Sequence, residues 1–270
     1  MTGVMTHPRR GPLPGGTLPA TGWLAVATRM AAVTRHQAVL LARDPGPLIG
    51  YTVMGLLLMT ATRPLYAIVG RVVPGAGPGI DQAAAGMAVM FSLFALKVGA
   101  AHLLSERTWR TRDRLRASPA GLGEVLAGKA VPIFAAIVVQ QAVLFGVAAA
   151  AFGLHPRAGW LALAACAIAW SACVLLLGFG ASTLARSPAQ LSAAGDIFAL
   201  LTTVIGGALV PVSLLPGWLR AIAPASPGYW ALGAYHAALA GSTAGLARPL
   251  EMLGVFAALG AVASALITAQ

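Results

Sequence analysis

The sequence is short of charge, and of acidic residues above all. Of its 270 residues only 7 are Asp or Glu and 18 are Lys or Arg, whereas 58% are hydrophobic. A water-soluble domain needs a polar surface around its core, and so few charged side chains cannot provide one. A lipid bilayer removes that need, so the composition predicts an integral membrane protein. The formal net charge is +11. Its basic residues lie beside apolar segments, which is typical of the cytoplasmic face of a membrane protein, so no nucleic-acid partner is expected.

Cysteines and catalytic patterns are also scarce. The two cysteines, Cys166 and Cys173, would lie about 10 Å apart on one helix, which excludes a disulfide between them. No His, Cys or acidic residues are clustered at metal-ligand spacing, and no serine has the surroundings of a hydrolase nucleophile. The sequence therefore predicts neither a metal site nor a catalytic site.

The N-terminal part has no apolar stretch typical of a cleavable signal peptide. Residues 1–22 are rich in Pro and Gly, and we expect them to form a disordered cytoplasmic tail. Residues 23–44 are amphipathic, with Arg29, His36 and Arg43 on one stripe at helical spacing. That pattern predicts a helix in the membrane interface, because the prolines that follow disfavour a continuous extension of the first span.

Long apolar runs, by contrast, are abundant. Six are long enough to cross about 30 Å of hydrocarbon as helices. We predict spans at residues 48–69, 83–104, 130–152, 160–184, 192–212 and 249–268. The predicted fold is all-α, a six-span membrane domain over residues 45–270.

Residues 211–239 are apolar but cannot form one continuous helix, because prolines interrupt them. Their aromatic side chains are typical of a membrane–water boundary. We predict a re-entrant pair of half-helices before the last span. The residues that define this region are Pro211, Pro216, Trp218, Pro224, Pro227 and Trp230.

The distribution of bases predicts the orientation. With the N-terminus in the cytoplasm, twelve Lys or Arg residues lie inside and five outside, Lys97 within the membrane not being counted. Cytoplasmic loops carry the excess of bases, so both termini are expected inside.

The densest polar feature is SERTWRTRDRLRASP at residues 105–119. Charge bias alone would produce an ordinary basic inner loop here. The acids Glu106 and Asp113 among the bases, and the sharp end at Pro119, also suit docking to a partner. The residues alone leave both interpretations open.

Residues 123–130, GEVLAGKA, nearly match a phosphate-binding loop. Ala130 stands where the loop needs a hydroxyl for Mg²⁺, and no strand precedes the segment. We therefore reject a nucleotide site. Lys129 is expected at the membrane boundary, where its stem can snorkel.

Three polar residues within the spans are candidates for lining a transport pathway. Lys97 could do so or could be an anchor that snorkels to the cytoplasmic edge. Gln140 and Gln141 could contact a polar cargo, although helix-to-helix hydrogen bonds are their commoner use.

The order of these segments resembles the ATP-binding-cassette type-2 export permeases, especially the drug and antibiotic exporters among them. The resemblance covers about residues 23–268 and rests on three pieces. They are the amphipathic helix ending in Arg43-Asp44-Pro45, the SERTWRTRDRLRASP loop followed by VLAGK, and the stretch PVSLLPGWLRAIAPASPGYW. The Pro-rich tail and the lack of bases after the last span depart from the family pattern.

The resemblance implies that the loop after the second span forms a coupling helix, which seats in a groove of a separate cytoplasmic ATPase. The coupling residues would be Glu106, Arg107, Arg110, Arg112, Arg114, Leu115 and Pro119, with Arg29, Arg35 and Arg43 on the interfacial helix. The region 211–239 would correspond to outward-facing half-helices that cap the exit route. ATP and Mg would bind to the partner subunit and not to this chain.

The same resemblance implies two permease halves around one pathway in a cell membrane, as a homodimer or with a related subunit. The Ala-, Gly- and Arg-rich amino-acid usage indicates a bacterial source. The cargo would be a lipophilic or amphiphilic compound. An ion-gradient-driven transporter or channel is the alternative, but it would normally carry several intramembrane acids or histidines. An intramembrane enzyme is disfavoured because no catalytic constellation is visible.

Overall fold

The computed structural model describes residues 22–72, 79–108, 122–185 and 187–268, and the regular structure in these ranges is helical. The α-helices are α1 Trp23–Arg43, α2 Gly46–Val72, α3 Gly79–Thr108, α4 Leu122–Phe152, α5 Trp160–Leu184, α6 Pro188–Ile205, α7 Gly217–Ile222, α8 Pro227–Ala240 and α9 Ala247–Thr268. Short 3₁₀ turns occupy Val212–Leu214, Ala223–Ala225 and Ala244–Leu246. The predicted all-α membrane fold is confirmed.

Five helices contain segments long and apolar enough to span a membrane. These segments are Gly46–Arg71, Gly79–Leu96, Ala127–Phe152, Trp160–Ser182 and Ala244–Ala265. The apolar part of α6, Ala189–Ile205, is shorter. An 18-residue helix rises about 27 Å, slightly less than the hydrocarbon thickness. The sixth span therefore stays a prediction.

The predicted span at 192–212 differs from the helix that is found. α6 begins at Pro188, with the Ser187 side chain accepting a hydrogen bond from the backbone N–H of Gln190, and it ends at Ile205. Gly206 and Gly207 follow, and Gly207 has a φ of +85°, a backbone conformation that side-chain-bearing residues avoid. The helix thus ends seven residues before position 212, because the apolar run continues through a turn.

Helix α3 is at the centre of the bundle. It contacts α2, α4, α5, α6 and α8, and 67% of its span is buried, compared with 17% for α2 and 11% for α9. Its small residues, including Ala83, Ala84 and Ala88, are fully buried and let neighbouring helices approach closely. The outer helices keep apolar faces exposed, as expected for surfaces that contact lipid.

The bundle has two distinct ends. One, which we call the α1 end, contains α1, the C-terminus of α3 and the N-terminus of α4. The opposite one, the hairpin end, contains the C-terminus of α2, the N-terminus of α3 and residues 206–226, which we call the hairpin segment. α6 runs from the α1 end to the hairpin end, because its C-terminal residues continue into the hairpin segment.

Prolines begin the short helices of the interrupted region, as the sequence suggests. Pro216 is the N-cap of α7 and Pro227 is the first residue of α8, positions where the missing N–H costs nothing. The two helices are unequal, because α7 has 6 residues and α8 has 14. α8 packs closely on the end of α6, where a Cβ on Gly228 would lie 2.7 Å from the carbonyl oxygen of Thr202.

Candidate functional site

The contact between α1 and the start of α4 is the first candidate site, because the predicted coupling segment leads directly into α4. The Thr34 hydroxyl donates to the Gly128 carbonyl at 2.9 Å. A Cβ on Gly128 would lie 3.0 Å from the Val33 side chain and 3.1 Å from the Met30 carbonyl. The missing side chain at Gly128 therefore lets α1 lie close against α4.

An ion pair reinforces this contact across 95 positions of sequence. The Arg29 Nε donates to one Glu124 carboxylate oxygen at 2.9 Å and an Arg29 terminal nitrogen donates to the other at 3.1 Å. This bidentate geometry matches a planar guanidinium to a carboxylate. The hydrogen bond to Glu124 raises the pKa of Arg29 above its ordinary value. Arg29 is therefore a fixed positive charge that binds protein, where the sequence predicts contact with lipid head groups.

The other predicted bases of α1 are placed differently. Arg35 and Arg43 are exposed, which is compatible with the predicted contact with anionic head groups. Gln37 is on the opposite side, 1% exposed. Lys129, predicted to snorkel at the membrane boundary, is buried at 6% exposure. This part of α4 is covered by protein, and the snorkelling of Lys129 stays a prediction.

The predicted coupling residues lie largely outside the described ranges. Arg110, Arg112, Arg114, Leu115 and Pro119 fall in the stretch between Thr108 and Leu122. Glu106 and Arg107 belong to the last turn of α3, and only their backbone positions are described. The helix ends that flank this stretch, Thr108 of α3 and Leu122 of α4, are at the α1 end.

The pathway candidates lie on helices that pack inside the bundle of this chain. Gln140 is 4% exposed and donates to the Phe91 carbonyl of α3 at 3.3 Å. Gln141 is fully buried and donates to the Ser171 hydroxyl of α5 at 2.7 Å. The Tyr235 hydroxyl of α8 donates to the Gln141 amide oxygen. Helix-to-helix bonds engage the amide nitrogens of both residues and the amide oxygen of Gln141, whereas the Gln140 amide oxygen is buried without a hydrogen-bond partner among the described residues. The pathway role of both residues stays a prediction.

Lys97, the third pathway candidate, is on α3, and its side chain is outside what the structure describes. Another polar pair in the core has no counterpart among the sequence predictions. Trp170 is fully buried and its indole N–H donates to the Ser92 hydroxyl at 2.6 Å, joining α5 to α3. Buried Trp residues generally find such a partner.

The predicted residues of the interrupted region lie together at the hairpin end. Pro211, Pro216 and Pro224 border its turns, and Trp218 is 70% exposed on α7. The Trp230 indole N–H donates to the Pro224 carbonyl at 2.8 Å, which ties α8 to the turn before it. The exit-side role of this region stays a prediction.

Two residues missed by sequence reasoning fix the hairpin segment to the bundle. The Tyr66 hydroxyl of α2 donates to the Leu209 carbonyl at 2.7 Å. The Gln82 amide of α3 donates to the Gly207 carbonyl at 2.9 Å. Polar residues near the ends of apolar helices are the only sequence signal that could have suggested them.

The described residues define a polytopic membrane protein whose helix bundle carries an amphipathic helix docked at one end. Comparison with known families identifies it further. The family model for the ABC-2 type transporter matches residues 28–239, from within α1 to the last turn of α8. The match takes in more than three quarters of the chain, and the chain belongs to the ABC-2 type transporter family.

The chain is therefore an ABC transporter permease of the membrane. The resemblance inferred from the residues is confirmed for the family, and the drug-exporter subgroup stays a prediction. The match ends before α9, which the structure places against α5. No curated protein matches the chain.

Proposed function

We propose that this chain is the membrane subunit of an ATP-driven exporter and that a separate cytoplasmic ATPase supplies the energy. Membership of the ABC-2 type transporter family carries the proposal. The chain's near-match to a phosphate-binding loop, residues 123–130, lies inside the continuous helix α4. A phosphate-binding loop needs a non-helical turn whose backbone N–H groups point at the phosphates. ATP and Mg accordingly belong to the partner subunit.

The coupling route follows from the α1 end. A partner that binds the segment between α3 and α4 pushes on the first turn of α4, which contains Glu124. Glu124 is bonded to Arg29, and Gly128 one turn later is in contact with α1. Movement of the coupling segment is thereby passed to α1 and α4 together.

The remaining elements of the proposal follow from the bases and the family. The α1 end faces the cytoplasm, because Arg29, Arg35 and Arg43 lie there and positive charge is retained inside. Both termini are then cytoplasmic, in the plasma membrane of a bacterium. Two such chains, or one with a related subunit, form a pathway for a lipophilic or amphiphilic compound.

The test is reconstitution of the chain with its ATPase in lipid vesicles. Alone, the purified chain should hydrolyse no ATP, and the complex should hydrolyse ATP and move an amphiphilic dye outward. Changing Arg110, Arg112 and Arg114 together to Ala should weaken co-purification of the ATPase while leaving membrane insertion unchanged.

The matched control removes three bases from the opposite end of the bundle. Changing Arg63, Arg71 and Arg248 to Ala removes the same charge without touching the coupling segment. ATPase association should then equal that of the unaltered chain. Transport that survives ATP depletion and collapses with the proton gradient would instead establish an ion-driven carrier.

A further inference from the structure

A cavity of about 530 Å³ lies at the hairpin end, within a single protomer. Its walls come from the C-terminus of α2, the N-terminus of α3, the hairpin segment and α8. Small-molecule sites commonly fall between about 300 and 1,000 Å³. The cavity therefore has the size of a binding site and lies at the opposite end from the proposed coupling contact.

Two opposite charges line this cavity. Asp81 is in the first turn of α3 and is half-buried, and Arg157 is exposed in the loop between α4 and α5. Within the described residues neither side chain has a hydrogen bond or an ion pair. Arg157 acts electrostatically on Asp81 without contacting it. A half-buried carboxylate without a partner is costly, so this arrangement calls for a third group.

Three polar neighbours of this pair are already engaged, and the other polar lining residues, Ser213, Tyr229 and His236, include no carboxylate and no guanidinium. Tyr66 and Gln82 both line the cavity, and both donate to carbonyls of residues 207–209. The Trp230 indole N–H is bonded to the Pro224 carbonyl, and the Arg248 guanidinium lies 5.7 Å from the centroid of its ring. These side chains shape the cavity and leave Asp81 and Arg157 as its two charged binding groups.

The simpler account of Asp81 is that an acid in the first turn favours the helix dipole. That account concerns Asp81 alone, whereas Arg157 places an accessible opposite charge in the same cavity. A ligand with one charge would satisfy one of the two groups and leave the other unpaired. A ligand with both charges satisfies both.

We propose that this cavity binds a zwitterionic group, an ammonium held by Asp81 beside an oxyanion held by Arg157. A guanidinium matches the oxygens of a phosphate or carboxylate with two parallel hydrogen bonds. The Asp81 carboxylate pairs with the ammonium. This chemistry occurs in the head group of an aminophospholipid and in a soluble phosphoethanolamine. The site goes beyond the transport role and needs no ATPase.

The first experiment measures binding of soluble probes to the purified full-length chain in detergent by calorimetry. Phosphoethanolamine should bind at least about tenfold more tightly than glycerol phosphate or ethanolamine, each of which has one of the charges. Asp81→Asn should abolish the preference over glycerol phosphate. Arg157→Gln should abolish the preference over ethanolamine. These opposite losses of selectivity distinguish a binding role from general misfolding.

The second experiment tests the lipid source. The chain is placed in nanodiscs of phosphatidylethanolamine or phosphatidylglycerol, and its melting temperature is compared. A head-group site raises the melting temperature in phosphatidylethanolamine, and Asp81→Asn removes the difference. Asp44→Asn and Arg63→Gln are the controls, because both residues are exposed and lie outside the cavity.

The outcomes are decisive in both directions. Selectivity in the soluble assay that the two variants abolish supports the proposal with a soluble ligand. Selectivity confined to the nanodiscs and lost in Asp81→Asn supports it with a lipid head group. Equal behaviour of zwitterionic and singly charged probes in both assays, or selectivity that survives both substitutions, overturns it.

Discussion

The close contact between α5 and α9 offers a sharp test of the packing of the bundle. Gly260 is buried on α9 and faces α5. A Cβ at this position would lie 2.6 Å from the carbonyl carbon and oxygen of Leu176, and 2.7 Å from the backbone nitrogen of Leu177. Those neighbours are backbone atoms, which no rotamer change can move. Gly260→Ala therefore forces the two helices apart.

The size of the effect follows from ordinary contact distances. Non-bonded carbon atoms prefer about 3.5–4.0 Å, so the backbones must separate by about 1 Å. Overpacking of this kind costs about 1–3 kcal/mol. Replacing Gly by Ala in a helix also contributes about 1 kcal/mol of stability through backbone entropy.

A matched substitution removes the entropic contribution. Gly254 is on the same helix and is exposed, and a Cβ added to it would have no neighbouring atom within 4 Å. Gly254→Ala should leave stability unchanged or raise it slightly. Relative to that control, Gly260→Ala should lower the free energy of unfolding by about 1–3 kcal/mol, the steric cost alone.

The measurement is unfolding of the purified chain in mixed detergent and dodecyl sulfate micelles, followed by tryptophan fluorescence. Both variants are compared with the unaltered chain under identical conditions. Equal unfolding free energies for the two Gly→Ala variants would refute the close contact between α5 and α9.

Two further predictions concern buried polar contacts. Tyr235→Phe removes the donor to the buried Gln141 amide on α4 and should lower the unfolding free energy by about 1 kcal/mol. Tyr229→Phe is the control, because it loses a hydroxyl with no bonded partner among the described residues, and it should leave the unfolding free energy unchanged. Equal unfolding free energies for the two variants would contradict the hydrogen bond from Tyr235 to Gln141. Arg29→Gln should loosen α1, so limited proteolysis should cleave α1 faster than in Arg35→Gln, which removes an exposed base from the same helix. Equal cleavage rates in the two variants would show that the ion pair does not hold α1.

The sequence predicts the helices well where one local signal decides the outcome. Pro216 and Pro227 begin helices because proline fits a first turn and disrupts an interior. The end of α6 could not be predicted in this way. Gly206 and Gly207 end the helix within a run that stays apolar on both sides of them. Hydropathy measures how apolar a segment is, but the helix ends because the backbone turns left-handed at Gly207, which hydropathy does not report.

The candidate site is less predictable, because its parts are distant in the sequence. Arg29 and Glu124 each look like an ordinary charge near a membrane boundary, and only the docking of α1 makes them partners. Gln141 shows the same difficulty, since a mid-span amide can line a pathway or contact another helix, and the sequence does not identify its partners. The positions of Ser171 and Tyr235 in the fold supply the missing information.

The bonds from Tyr66 and Gln82 to residues 207–209 restrict how the hairpin end can open. Lifting the hairpin segment away from α2 and α3 would break the hydrogen bonds to the Gly207 and Leu209 carbonyls, at a cost of about 0.5–1.5 kcal/mol each. Swinging α2, α3 and the hairpin segment together as one rigid unit costs neither bond. An opening at this end that keeps both bonds must therefore move α2, α3 and the hairpin segment as one unit.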